Sequence, residues 1–197
     1  MKFTQIPTTT FQEIQLNAGI LCKSFTPATG TLSSSDIIGA TSGGINFTAT
    51  PSYLDFGEDI DNCPKNTKEL KKLDTWEVKM SGTLATINTT VAKSLLGAAD
   101  IDGTDTTKVV PRADVASADF DDIWFVGDYS DKNGATNGGF VAIKMSNALS
   151  TGGFQLQSTD KEKGKFAFEY TAHFSISAQD TVPFLVYIKA GTNEPTT

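Results

Sequence analysis

Hydrophobic and polar residues alternate with a period of two along much of the chain, as they do in half-buried β-strands. The longest case is KFAFEYTAHFSIS at 165–177, where one face holds Phe166, Phe168, Tyr170, Ala172, Phe174 and Ile176. A second is TWEVKMSGTLATI at 75–87, with Trp76, Val78, Met80 and Leu84 on one face. The pattern predicts two long strands, each with one face toward a core.

Several other segments have strand character. Near the N-terminus, the same alternation predicts a strand over 14–22 whose buried face holds Ile14, Leu16, Ala18, Ile20 and Cys22. Further strands are predicted at 45–50, 123–126, 140–145 and 184–188. The last three are nearly continuous apolar runs, so we expect central positions in a sheet for them.

One segment has clear helical character. Asn88 or Thr89 can cap a helix whose apolar stripe is formed by Val91, Ala92, Leu95 and Leu96, and Gly97 can end it. A second, short helix at 67–73 has weaker signals. Strands, one helix and further strands in this order predict a mostly β fold, a sandwich or barrel of two packed antiparallel sheets with one flanking α-helix.

A glycine-rich heptapeptide occurs almost twice. GATSGGI at 39–45 and GATNGGF at 134–140 are nearly identical, and TGGF at 151–154 is a partial third copy. Each precedes a predicted strand, so we interpret them as turns in which glycine supplies a positive φ.

Composition limits the possible functions. The chain has 197 residues and a hydrophobic content of 39%, which suits a single folded domain over 1–197, with about 190–197 as a flexible C-terminal tail. Its net charge of −7 argues against a protein that binds nucleic acid through phosphate contacts. No apolar run predicts a membrane helix or a secretory signal, so Cys22 and Cys63 are expected to be free thiols.

None of the candidate chemical motifs is specific. The glycines at 39–44 have P-loop spacing but lack its Lys. Asp100, Asp102 and Gly103 resemble a calcium loop in which Pro111 replaces the closing carboxylate. The acidic clusters, Asp119, Asp121 and Asp122 in one case and Glu58, Asp59 and Asp61 in the other, are interpreted as solvated or interface loops. We therefore predict no metal site and no cofactor.

The chain also lacks an evident catalytic centre. His173 is its one histidine and falls on the polar face of its predicted strand, toward solvent or a neighbouring subunit. Nucleophilic catalysis would require an activated Ser or Cys beside it, and no G-x-S-x-G motif occurs. Cys22, on an apolar face, is expected to be inert. The sequence therefore predicts a protein that is not an enzyme.

An ordered series of segments nevertheless resembles a known family. IGATSGGINFTATPSYLDFGEDIDNCP, TWEVKMSGTLATINTTVAKSLLGAADI, VVPRADV, FDDIWFVGDYSDKNGATNGGFVAIKMSNALSTGGF, KGKFAFEYTAHFSI and VPFLVYI follow one another between about residues 11 and 188. Together they resemble the major tail proteins, or tail tube proteins, of long-tailed bacteriophages of Gram-positive bacteria. No single segment is a functional signature, and the family has no catalytic motif to transfer.

The resemblance implies an assembly. Six copies close into a ring, and stacked rings form the tail tube through which DNA reaches the host. The implied partners are further copies of the chain, the tail tip and tail terminator proteins, the tape measure protein in the lumen and passing DNA, with no membrane. The implied location is the virion tail, assembled in the host cytoplasm.

The resemblance also implies a long loop that reaches the adjacent ring, best matched by residues 56–74. Its charges divide into an acidic half and a basic half, which suits pairing between stacked copies. The predicted inter-ring residues are Glu58, Asp59, Asp61, Lys65, Lys68, Lys71 and Lys72.

Two alternatives remain open from the sequence. One is a ring protein of the related type VI secretion tube. The other is a β-sandwich module that binds glycans, for which Trp76 and Trp124 would be the aromatic platform, although both lie in apolar strand registers.

Overall fold

The computed structural model describes residues 5–129 and 138–192. The helix α1 covers Thr89–Leu96. The strands are β1 Ile20–Cys22, β2 Ile37–Gly39, β3 Thr41–Asp55, β4 Lys71–Leu84, β5 Ala99–Ile101, β6 Val109–Pro111, β7 Asp121–Tyr129, β8 Gly139–Ser150, β9 Gln155–Gln157, β10 Lys165–Ala172 and β11 Phe184–Lys189. Most of the second glycine heptapeptide and most of the predicted C-terminal tail lie outside the described residues.

Nine strands form one antiparallel sheet in the order β2-β1-β7-β8-β10-β4-β3, with β11 beside β8 and β9 beside β10. Strands β5 and β6 form a small second sheet. The prediction of a mostly β fold with antiparallel sheets and one flanking helix is confirmed.

The large sheet folds over to enclose the main core. Val78, Met80 and Tyr170 of β4 and β10 are buried in one cluster with Ile123 and Met145 of β7 and β8. Phe47 of β3 contacts Phe184 of β11, with ring centroids 5.8 Å apart, although three strands separate them in the sheet. Strands β3, β4 and β10 thus form one layer, and β2, β1, β7, β8 and β11 form the other.

Helix α1 forms as predicted. The Asn88 side chain accepts a hydrogen bond from the Val91 amide at 2.8 Å, which satisfies one of the first-turn donors. Gly97 ends the helix with φ at 74°, where a side chain would be strained. The Ser150 hydroxyl donates to the Leu95 carbonyl at 2.8 Å and fastens the helix to β8.

The two long strands differ in how far the prediction holds. The predicted face of β4 is confirmed, because Val78, Met80 and Leu84 are fully buried. Strand β10 ends at Ala172 rather than at 177. The chain then turns, with a bridge between Ser175 and Ala178, which leaves Phe174 and Ile176 exposed. The alternating pattern continues past the turn, so periodicity alone overestimated the strand.

The predicted N-terminal strand over 14–22 is wrong in length and in its buried face. Strand β1 begins only at Ile20, directly after Gly19, whose φ is +69°. Leu21 is buried in the main core, while Cys22 is buried in a second cluster with Phe25 and Trp124. Because β1 is covered on both faces, alternation could not identify its orientation.

The predictions of glycine-rich turns and of a second short helix are confirmed only in part. Gly43 and Gly44 have positive φ as expected, but they form a bulge within β3, where the register with β4 shifts, rather than a turn. Gly153 also has positive φ. In place of the helix predicted at 67–73, one 3-10 turn covers Lys68–Leu70 and β4 begins at Lys71.

Candidate assembly surfaces

The hairpin of β3 and β4 extends well beyond the end of β10, its neighbour in the sheet. Strand β10 pairs with β4 only between Lys79 and Leu84, so β4 residues 71–78 are hydrogen-bonded on the β3 side alone. At strand rise this overhang is about 25 Å long. We call residues 51–75, the outer part of the hairpin with its loop, the arm.

The Asp55 side chain organises the arm loop. Its carboxylate accepts hydrogen bonds from the backbone amides of Gly57 and Asn66, each at 3.0 Å. These two bonds hold the pKa of Asp55 below its usual range. The Lys71 ammonium donates to the Asn66 side-chain oxygen at 2.9 Å. The loop is therefore ordered by hydrogen bonds that connect it to the end of β3 and to the start of β4.

All seven predicted inter-ring residues lie on the arm, and all seven are exposed: Glu58, Asp59, Asp61, Lys65, Lys68, Lys71 and Lys72. Within the described ranges, none of them forms an ion pair with another side chain. Their charges are therefore available to a partner, and their role in stacking stays a prediction.

The arm also exposes large apolar side chains, which the sequence analysis did not single out. Tyr53, Leu54, Phe56, Ile60 and Leu73 are each between 46% and 56% exposed. The Lys72 ammonium lies 5.7 Å from the centre of the Phe56 ring, a cation–π distance. An exposed apolar group of this size, surrounded by charges, is typical of an interaction surface.

Strand β3 presents a long edge without charge. Among the described residues it pairs only with β4, so its outer edge is open along 15 residues. Residues 41–54, TSGGINFTATPSYL, contain no Asp, Glu, Lys or Arg. Monomeric proteins usually protect such edges with charges or bulges, because open strands pair with other chains. In β3 such devices are few: the Gly43–Gly44 bulge, Pro51, a second register shift between Ser52 and Tyr53, and the charge of Asp55 at the end of the strand.

Strand β11 is a second open edge, which corrects the prediction that it is central. In the part of the chain that the structure describes, it pairs with β8 alone. Leu185, Val186 and Ile188 are 51%, 49% and 64% exposed. A continuous apolar run normally indicates burial on both faces, and here it leaves apolar side chains at an open edge instead.

The candidate chemical groups do not assemble into a reactive site. Within residues 5–129 and 138–192, no three His, Cys, Asp or Glu side chains are arranged to hold a metal ion. Asp102 accepts hydrogen bonds from the Thr104 amide and hydroxyl, which stabilises a local turn. Asp119 is buried against Arg112, whereas Asp122 pairs with Lys144.

His173 is half-buried and packs edge-on against the Phe120 ring, with centroids 5.3 Å apart. Its Nδ1 lies 3.2 Å from the Asn147 carbonyl oxygen.

Burial, with a contribution from the charge of Asp36, raises the pKa of the Cys22 thiol to about 11. A thiol held in this protonated state is a poor nucleophile.

The two tryptophans belong to the protein interior. Trp124 is 7% exposed and stacks on Tyr187, with ring centroids 5.7 Å apart. Trp76 is half-buried and packs against the main core. The pair therefore does not form the exposed aromatic platform that a glycan-binding module would use.

Comparison with known proteins adds no assignment: no protein-family model matches the chain, and no curated protein matches its sequence. A bilayer-crossing helix, which must be long and apolar, is not found among the helices of the described residues.

Proposed function

We propose that this chain is the subunit of a self-assembling tube and acts, without catalysis, as the tail tube protein of a long-tailed bacteriophage. One observation carries the proposal: among the described strands of six or more residues, two have a neighbour on one side alone, the uncharged edge of β3 and the apolar edge of β11. In a permanent monomer both edges would promote aggregation. Pairing between copies removes that liability.

Two different edges favour a particular kind of assembly. When one edge of a subunit pairs with another edge of the next, the contact is head-to-tail, and such contacts close into a ring if the rotation allows. The arm then supplies a second contact between rings. A ring of six copies and stacking into a tube follow from the family resemblance described above, as do the tail tip, tail terminator and tape measure partners.

The negative net charge of the subunit is consistent with a tube that conducts DNA. A net charge of −7 on each subunit makes a tube of many copies strongly acidic. Since like charges repel the phosphate backbone, DNA can pass without being retained. The proposed role is therefore a virion component that delivers the genome through its lumen.

Electron microscopy and light scattering test the proposal. We expect concentrated protein to form rings or tubes in negative stain, and lysines at Val186 and Ile188 to abolish them while the monomer stays folded. Lysines at Val110 and Val115, which are also exposed, provide the matched control and should leave assembly intact. A chain that stays monomeric at every concentration and salt, or that turns over a substrate, would refute the proposal.

A further inference from the structure

We propose that the tip of the arm docks on a defined surface of a second copy in the next ring. The receiving surface, which we call the β9 surface, consists of Phe154, Leu156 and the turn residues Asp160–Lys163. This inference rests on the proposed tube assembly and adds the identity of the partner surface.

The strand register places the arm and the β9 surface at opposite ends of one layer. At one end Asp55 pairs with Lys71, and the arm loop follows. At the other end Leu84 pairs with Phe166, which in turn pairs with Leu156 of β9. The 14 residues of β4 between these ends span about 45 Å. Copies stacked along the strand direction therefore bring the arm of one onto the β9 surface of the next.

Both surfaces offer apolar anchors. Phe56 and Ile60 on the arm are 56% and 52% exposed. On the β9 surface Phe154 and Leu156 are 42% and 57% exposed, and the Phe154 ring lies 5.9 Å from that of Phe166. Exposed aromatic and aliphatic groups of this kind form the centres of protein interfaces, where they bury the most apolar area.

Charges of both signs surround the apolar anchors on both surfaces. The arm carries an acidic group, Glu58, Asp59 and Asp61, and a basic group, Lys68, Lys71 and Lys72. The β9 turn alternates Asp160, Lys161, Glu162 and Lys163, all of them exposed. Among the described residues none of these four turn side chains has an ion-pair partner in its own chain. Lys161 and Lys163 can thus pair with the acidic group of the arm in a stacked contact, with an apolar centre and a charged rim.

A charge swap tests the contact. Lys161→Glu with Lys163→Glu should raise the critical concentration for tube growth at least about tenfold, because like charges then face each other. Glu58→Lys with Asp59→Lys should do the same, and combining all four changes should restore growth. Absence of rescue would overturn the docking.

Cross-linking gives a second, independent readout. In a Cys63→Ser background, Ile60→Cys combined with Leu156→Cys should yield ladders of linked chains on oxidation of assembled protein. Ile60→Cys combined with Val115→Cys is the control and should give no ladder. Tubes that form without the expected ladder and without rescue would overturn the docking and leave tube formation standing. Wild-type protein that never polymerises would instead refute both proposals.

Discussion

Trp76 of β4 and Phe184 of β11 meet edge to face, with ring centroids 5.4 Å apart and planes inclined by 62°. In the hydrogen-bonded order of the sheet, β10 and β8 lie between their strands. The contact therefore joins the two layers directly, at the level where the arm leaves the core. Aromatic pairs in this geometry are worth about 0.5–1.5 kcal/mol beyond the area they bury.

The Phe184 ring should be important for the stability of the subunit. Phe184→Ala removes its contacts with both Trp76 and Phe47, so we expect the free energy of unfolding to fall by about 2–4 kcal/mol. Urea denaturation of the monomer followed by tryptophan fluorescence measures the change. Leu185→Ala, at the next position but 51% exposed, should cost less than about 1 kcal/mol. Equal losses for the two variants would contradict the packing of the layers.

The lysines of the arm should be needed for tube growth but not for folding. Replacing Lys68, Lys71 and Lys72 by Glu reverses the basic group, so we expect fewer and shorter tubes in negative stain. Circular dichroism should show an unchanged monomer, since Lys68 and Lys72 are exposed and Lys71, also exposed, makes one side-chain hydrogen bond, to Asn66 at the surface of the arm loop. Replacement of the same residues by Arg keeps the charge and serves as the control. Normal growth of the Glu variant would show that this part of the arm is not a stacking element.

The two cysteines should differ in reactivity. Cys22 is fully buried and its pKa is raised to about 11, whereas Cys63 is only half-buried on the arm. An aromatic disulfide reagent at pH 8 should therefore modify one thiol per folded chain rapidly, and the second only after unfolding. Cys63→Ser should abolish the rapid phase. Rapid modification of two thiols in the native subunit would contradict the burial of β1.

Stability should fall in acid through the carboxyl of Asp119. This side chain is buried, accepts a hydrogen bond from the Ala116 amide at 2.8 Å and pairs with the Arg112 guanidinium. The Ala116 amide, helped by Arg112, lowers the pKa of Asp119 below its usual range. Because the pKa is lowered in the folded state, the contribution of Asp119 to the free energy of unfolding is fully present above the pKa of the unfolded chain, about 4. It is lost as the pH falls through the lower pKa of the folded state.

Thermal unfolding between pH 2 and 6 measures this effect. Asp119→Asn removes the titrating group, so its melting temperature should be lower at pH 6 and should decline less on acidification than that of the wild type. Asp114→Asn, whose side chain is 86% exposed, is the control and should follow the wild-type profile. An unchanged acid slope in the Asp119 variant would refute the assignment.

Much of the local structure could be predicted from the sequence because it depends on near neighbours. Alternation identified β4 and its buried face, since Val78, Met80 and Leu84 all point into one core. The capping residue Asn88 and the terminal Gly97 set the limits of α1. The absence of charge from 41–54 is also visible in the sequence, although its meaning depends on where β3 lies.

Only the tertiary structure decided which strands are edges and which surfaces stay open. A hydrophobic run such as 184–188 indicates an apolar environment, but it does not show which strands lie beside it. We therefore expected β11 to be central, and it has one neighbouring strand, β8, among the described residues. The same holds for β10, whose pattern continues beyond the turn that ends it. Strand order, register and the length of the arm come from pairings between residues distant in sequence, and local periodicity contains no information on them.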